Sequence, residues 1–281
     1  MNETLSLFRM PILIFLSGML LPRSLSKDSS AYFSGKLKGI LWPFIIWSTI
    51  YGIAVDIHFR SFADLEKLYT GGSHLWFLLF IFIYYLAAKP LQDFNPLLIA
   101  AVAFIFSIAS PDGAKYSERL FYLMSLFFLG AYASIHMPAL LKSLTSQWIW
   151  VIAPIVAATA AATAMYELRF GPKYIVLSLV GAMIISAMAI RAEKTIISSI
   201  LIWIGQKSII FYVSHAVFMT LTLKAFRYYE VENYATVAIF AISSALLGGW
   251  TLAVLKDFSR PVSWLFSFPD FPQRRQAVQL S

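Results

Sequence analysis

Long apolar runs separated by short polar clusters cover most of the chain, and the length of each run carries the structural signal. A helix needs about 17–25 predominantly apolar residues to cross the hydrocarbon core of a bilayer. Reading for such runs predicts spans near 5–21, 39–57, 74–89, 96–110, 119–136, 147–166, 173–190, 208–224 and 235–256. The runs at 74–89 and 96–110 are short, so each borrows flanking residues or the two form a tight hairpin around Lys89-Pro90. The stretch Ala157–Ala164 (AATAAATA) is small-residue helix, which in lipid lets neighbouring backbones approach closely. Beyond Lys256 the chain turns rich in Pro, Phe and Arg and reads as an interfacial, partly disordered end. No internal repeat interrupts this pattern. The expectation is an all-α, polytopic transmembrane bundle of about nine helices, forming one domain over 1–256 with a cytoplasmic tail over 257–281.

Composition supports lipid as the solvent. Hydrophobic residues make up 59% of the chain and charged residues 13%, against about 45–50% and about 25% in soluble domains, and the mean hydropathy is +0.73. Trp42, Trp47, Tyr51, Trp148, Trp150, Tyr166 and Tyr174 fall near the ends of apolar runs, the pattern of an interfacial aromatic belt. The absence of cysteine excludes disulfides, thiolate metal sites, cysteine nucleophiles and a lipoprotein anchor. The first apolar run follows Glu3 and is interrupted by Arg9, so no cleavable signal peptide is expected.

The net charge of +8 is scattered in short groups between apolar runs rather than gathered on one face, which argues against nucleic acid as a partner. The same charges orient the chain. With the loop 22–38 inside, alternate loops place 13 of the 22 Lys and Arg residues in the cytoplasm (Arg23, Lys27, Lys36, Lys38, Lys89, Lys142, Arg191, Lys194, Lys207, Lys256, Arg260, Arg274 and Arg275). This predicts an external N-terminus and a cytoplasmic C-terminus, in the inner (cytoplasmic) membrane.

Strongly polar groups within spans cost about 2.5–3.5 kcal/mol each near a helix centre, so each needs a reason. Arg9 lies about a turn and a half into the first span, with Pro11, Ser17 and Gly18 following. It either snorkels to the outer interface or anchors an anionic or hydroxyl-rich group inside the bundle. Ser208, Tyr212 and His215 fall at i, i+4 and i+7 and place a hydroxyl, a phenol and an imidazole on one helix face. At 1.5 Å per residue His215 lies about 10 Å beyond the span's inner end. It is read either as a satisfied buried histidine or as a site residue. His74 and Trp76 stand at the outer mouth of a span behind the flexible Gly71-Gly72, as a membrane-boundary pair or as part of a site. His58 and His136 sit at span ends without polar companions and receive no function. HExxH, phosphate-loop, GxSxG and dinucleotide-binding motifs are absent.

These segments together resemble acyltransferase family three, the membrane O-acyltransferases that modify bacterial polysaccharides and similar glycans. Phe8–Leu21 (FRMPILIFLSGMLL) resembles the family's second helix, F-R-x-P-x-F-x-x-S-G, and Lys36–Pro43 (KLKGILWP) its basic run ending in proline. His74–Leu78 (HLWFL) is similar to the H-x-W-F-L opening of a later helix. Phe127–Gly130 (FFLG) matches a further recurring stretch, and Ile204–His215 (IGQKSIIFYVSH) is similar to I-G-x-x-S-L-x-I-Y-x-x-H. Order and spacing over most of the chain carry the resemblance.

The resemblance implies transfer of an acyl group, commonly acetyl, from cytoplasmic acyl-CoA as co-substrate to a sugar hydroxyl of a glycan acceptor, with no permanently bound cofactor and no metal. Arg9, Ser17, Trp76, Ser208 and Tyr212 are taken as substrate-binding residues, and the catalytic residue is left unknown, with His215 and His74, which match later motifs, as candidates only. Arg23, Lys27, Lys36, Lys38, Arg191, Lys194 and Lys207 are candidates for the coenzyme A phosphates, although orientation in the membrane already accounts for them. The chain starts where the family's second helix starts. The first-helix histidine taken as the family's base therefore has no counterpart, and the expectation is that the 281 residues alone do not complete transfer. A transporter or flippase of a glycan or lipid-linked intermediate is the competing reading, and a non-catalytic remnant a third. A transporter would show paired halves and broken midplane helices, and no paired halves are visible.

Overall fold

The computed structural model describes residues 6–57, 64, 68–69, 74–111, 114–166, 170–192, 195–231 and 233–269. Its helices are α1 (Ser6–Met19), α2 (Leu21–Leu25), α3 (Ser29–Lys36), α4 (Trp42–Ala54), α5 (Trp76–Ala88), α6 (Pro96–Ile108) and α7 (Lys115–Ile135). They continue as α8 (Met137–Thr145), α9 (Trp148–Tyr166), α10 (Ile175–Arg191), α11 (Ile196–Gln206), α12 (Ser208–Tyr228), α13 (Tyr234–Phe258) and α14 (Arg260–Trp264). Among the described residues there is no strand. Helix starts follow local chemistry. Asn95 accepts from Leu97 N at 2.9 Å with Pro96 in the first turn of α6, and Asn233 accepts from Thr236 N at 3.0 Å to cap α13.

Each of the nine predicted spans contains an apolar helix among the described residues. By length and composition four runs suffice to cross a membrane (Ser29–Ala54, Pro172–Arg191, Ser208–Tyr228 and Tyr234–Phe258), and α7 with α8 makes a fifth if that pair, bent by 95°, counts as one span. α1, α5, α6 and α9 are shorter apolar helices. The 13 residues of α5 or α6 rise only about 20 Å, less than the hydrocarbon thickness of about 30 Å. The protein is a multi-pass, all-α membrane bundle. The region 22–38 read as a loop is largely helical and runs through a π-helical turn (Leu37–Leu41) into α4. Likewise α11 occupies a stretch that the basic residues around it made look like a loop.

The chain forms two compact units, Met1–Phe33 with Phe80–Gly205, and Ser34–Leu79 with Gln206–Ser281. In the first, α1 packs against α7 and α10. A Cβ on Gly18 would stand 1.8 Å from the Phe127 carbonyl oxygen, and one on Gly130 2.0 Å from that of Phe15, so α1 and α7 cross backbone against backbone. Phe8 lies on Gly181 of α10. Tyr122 Oη donates to Ser178 Oγ at 3.1 Å, and Ser178 Oγ donates to the Leu7 carbonyl at 2.9 Å, which ties α7, α10 and α1 through buried hydroxyls. Because lipid is as apolar as these side chains, close packing and hydrogen bonds hold such helices together rather than the hydrophobic effect. Leu7, Phe8, Leu144, Ile149, Val156, Ile184 and Ala187 form the core here.

In the second unit α4 runs parallel to α12, with Asp56 paired to Lys224, and α13 returns antiparallel. Thr222 Oγ1 donates to Ser244 Oγ at 2.7 Å, and the rings of Phe218 and Phe211 lie on Gly248 and Gly249.

The beginning of the tail, as far as residue 269, is ordered. α14 and the residues after it dock on α4, with Trp42 Nε1 donating to the Trp264 carbonyl at 2.7 Å and Trp47 Nε1 to that of Leu265 at 3.0 Å. Phe266 is buried against Trp47, and Phe268 N donates to the Lys38 carbonyl at 3.2 Å. Residues 270–281 lie outside the described residues. The indoles of Trp42 and Trp47 thus spend their N–H groups on backbone carbonyls of the tail. An indole beside the carbonyls of a helix end can satisfy its N–H there.

Candidate active site

The second unit gathers the polar chemistry read from its sequence. α12 carries Tyr212 and His215 one turn apart, so both side chains leave the helix on one side. Tyr212 Oη donates to the backbone carbonyl of His74 at 2.6 Å, which holds the residue just ahead of α5 against α12. The two imidazoles meet edge to face, with centroids 5.1 Å apart and planes at 83°. Tyr51 of α4 closes the third side, its ring 4.9 Å from that of His74, and Phe77 packs 5.5 Å from the Tyr212 ring.

His74 therefore stands just ahead of α5 with its ring packed against Tyr51 and His215. Leu68 is fully buried, and Tyr69 lies back along the first half of α4, its hydroxyl 2.7 Å from that of Thr49 and its ring 5.8 Å from Phe44. Gly71 and Gly72 are outside the described residues.

The nitrogens define what these rings can do. His215 Nδ1 lies 2.7 Å from the Tyr212 carbonyl oxygen. A carbonyl only accepts, so Nδ1 carries the hydrogen and Nε2 of the neutral ring keeps its lone pair. Both nitrogens of His74 are buried against the Tyr212–Val213 backbone of α12, and no hydrogen bond of good geometry reaches them among the described residues. A buried polar atom left so costs about 1–3 kcal/mol, which a bound polar group removes. Among the described residues no group of acidic, histidine or cysteine side chains is suited to hold a metal.

The remaining candidates are distributed as follows. Trp76 opens α5 beside His74, and Ser208 is exposed in the first turn of α12. Arg9 and Ser17 lie on α1 in the first unit. Arg9 shares the exposed side of that helix with Leu13, Leu16 and Leu20, while Ser17 Oγ donates to the Leu13 carbonyl at 2.8 Å and its own carbonyl accepts from Tyr85 Oη at 3.1 Å. Of the basic candidates, Arg191 donates to the carbonyls of Leu144 and Ala187 at 3.3 Å and lies 4.8 Å over the Trp150 ring. Lys207 bonds to Asp257 and, at 3.1 Å, to the Ala253 carbonyl. Both serve the fold. Lys194 and His58 lie outside the described residues. His136, through Nδ1, bonds to the Tyr132 carbonyl at 3.0 Å and stays apart from any cluster.

Tyr51 is the cluster residue that sequence reasoning missed, having been taken for the aromatic belt. It lies in the last turn of α4, where its place along the chain does not separate it from an interfacial tyrosine.

No curated protein and no solved structure matches the chain. A family model described as an acyltransferase domain, that of acyltransferase family three, matches residues 1–254. The match covers nearly the whole membrane bundle, including α1, the His74 segment and α12, and the chain belongs to acyltransferase family three, an acyl-transferring enzyme built into a membrane.

Proposed function

We propose that the protein moves an acetyl group from cytoplasmic acetyl-CoA, or another acyl group from its coenzyme A thioester, to a sugar hydroxyl of a cell-surface or exported glycan. In this reading it resides in the inner membrane with its C-terminus in the cytoplasm. The observation that carries the proposal is the pairing of His74 and His215 inside a protein of this family.

Acyl transfer to an alcohol needs one group to take a proton and later return it. The sugar oxygen attacks the thioester carbonyl carbon while its proton passes to His215 Nε2. The carbon–sulfur bond then breaks, and the imidazolium protonates the departing thiolate to give an ester and free coenzyme A. The Nδ1 bond to the Tyr212 carbonyl keeps His215 in the required tautomer. His74, with its buried nitrogens, supplies hydrogen bonds to the reacting oxygens. A positioned histidine contributes about 10²–10⁴-fold to such a step.

The test uses the purified chain in vesicles with acetyl-labelled acetyl-CoA and extracted surface polysaccharide, read as alkali-labile label on the polysaccharide. His215→Asn keeps a donor for the Tyr212 carbonyl and removes the base, so transfer falls by about 100-fold or more with the fold intact. Transfer unchanged in that variant, or none from the folded wild-type chain, takes the role of base away from His215.

A further inference from the structure

Tyr212 touches both histidines of the second unit, each through a different group. Its Oη donates to the His74 carbonyl at 2.6 Å, and its own carbonyl oxygen lies 2.7 Å from His215 Nδ1. The His215 contact is local. The two residues stand one turn apart on α12, so the backbone of any residue at position 212 provides it. The His74 contact joins residues 138 positions apart, and only a side chain with a donor at its far end makes it.

Tyrosine suits that task. Two rotatable bonds separate its backbone from its ring, so the phenol spans the gap as a stiff strut. Phe77 holds the phenol in turn, its ring 5.5 Å away and tilted by 56°. The strut ends on the backbone of His74, whereas the His74 ring is fixed separately by Tyr51 at 4.9 Å and by the Tyr212–Val213 backbone. With both ends set, the two imidazoles stand with centroids 5.1 Å apart. A phenol has one hydrogen. Here it goes to His74, so it is not donated to a sugar.

We infer that Tyr212 is a positioning residue that sets the spacing of the two imidazoles, rather than the substrate ligand its place in the sequence suggests. Its effect on transfer rests on the acyltransferase reading above. Its hold on His74 does not.

The experiment treats the purified full chain in neutral detergent with diethyl pyrocarbonate, which acylates accessible imidazole nitrogens, and follows each histidine by peptide mass spectrometry. Transfer is assayed on the same proteins and normalised to folded protein. In wild type, His74 reacts more slowly than exposed His136. Tyr212→Phe keeps the ring and the backbone and removes only the donor. It is expected to raise the rate at His74 by about 3- to 10-fold, the open population that one hydrogen bond suppresses, with His215 and His136 unchanged. In transfer kcat falls by about 10- to 100-fold, as for a misplaced reacting group, while KM for the acceptor stays the same. Phe77→Leu, which keeps the hydroxyl and loosens the phenol, moves both readouts the same way by less and guards against misfolding of Tyr212→Phe. Thr222→Val, which removes the α12 hydroxyl bond to Ser244, leaves both unchanged. Unaltered His74 labelling in Tyr212→Phe overturns the proposal, as does a raised KM with kcat intact, which identifies a substrate ligand. Equal changes in Thr222→Val also overturn it, because any loosening of α12 would then suffice. Release of His74 by Tyr212→Phe in a chain whose folded wild type transfers nothing removes the enzyme reading and leaves the hold of Tyr212 on His74 standing.

Discussion

Substituting Gly18 by alanine tests whether the α1–α7 crossing is as close as described. The added Cβ would lie 1.8 Å from the Phe127 carbonyl oxygen, and raising that to the 3.0 Å that side chains tolerate separates the helices by at least about 1.2 Å. The obstacle is backbone, so no side-chain rotation relieves it. A gap of about 0.5–1 Å already forfeits a quarter to a half of a contact's dispersion energy, and overpacked substitutions cost about 1–3 kcal/mol. We expect Gly18→Ala to destabilise the bundle by that amount. Gly35→Ala and Gly205→Ala, where a Cβ meets nothing within 4 Å, should be neutral or stabilising by up to about 1 kcal/mol from helix propensity. Gly130→Ala strikes the same crossing from the other side, its Cβ 2.0 Å from the Phe15 carbonyl oxygen. Once the helices have parted the second methyl costs less, so the double variant falls short of additivity. Unfolding of the purified protein by titrated SDS measures all five proteins against wild type. A Gly18→Ala protein as stable as the Gly35→Ala control would refute the close crossing.

Ser178→Ala removes the central hydroxyl from the relay between Tyr122 and the Leu7 carbonyl, leaving both ends without this partner. In the same titration it should cost about 1–2 kcal/mol, whereas Tyr122→Phe, which leaves the Ser178–Leu7 bond in place, costs about half as much; equal losses would deny the relay. The chain has no cysteine, so single cysteines at Ser30, Leu65 and Asp270 report topology directly. An impermeant maleimide on intact spheroplasts should label only position 65, and the reverse pattern would invert the orientation and the side assigned to coenzyme A.

The amino-acid sequence alone determined the class of structure. Run length and charge depletion act residue by residue through transfer into lipid, so the apolar segments were legible without knowledge of their neighbours. The Ser17-Gly18 and Phe127–Gly130 motifs were visible as well, but not that they are one feature: Gly18 and Gly130 face each other across a single crossing. Arg191 and Lys207 illustrate the opposite limit. Each was counted as a cytoplasmic charge, and each is held by backbone carbonyls that only folding brings near.

What tertiary structure decided was which polar groups meet. Helical periodicity set Tyr212 and His215 on one face of α12, because residues one turn apart share a side whatever surrounds them. It contained nothing about His74, which is held near His215 by a hydrogen bond from a residue 138 positions away. Trp42 and Trp47 resemble interfacial tryptophans by their place in the sequence, yet they hold the chain after α13 because two backbone carbonyls of that tail reach their indoles. Hydropathy is a local property and survives in any arrangement of helices. Long-range hydrogen bonds, ring contacts and cavities depend on which helix faces are pressed together, and that choice is made only when the bundle packs.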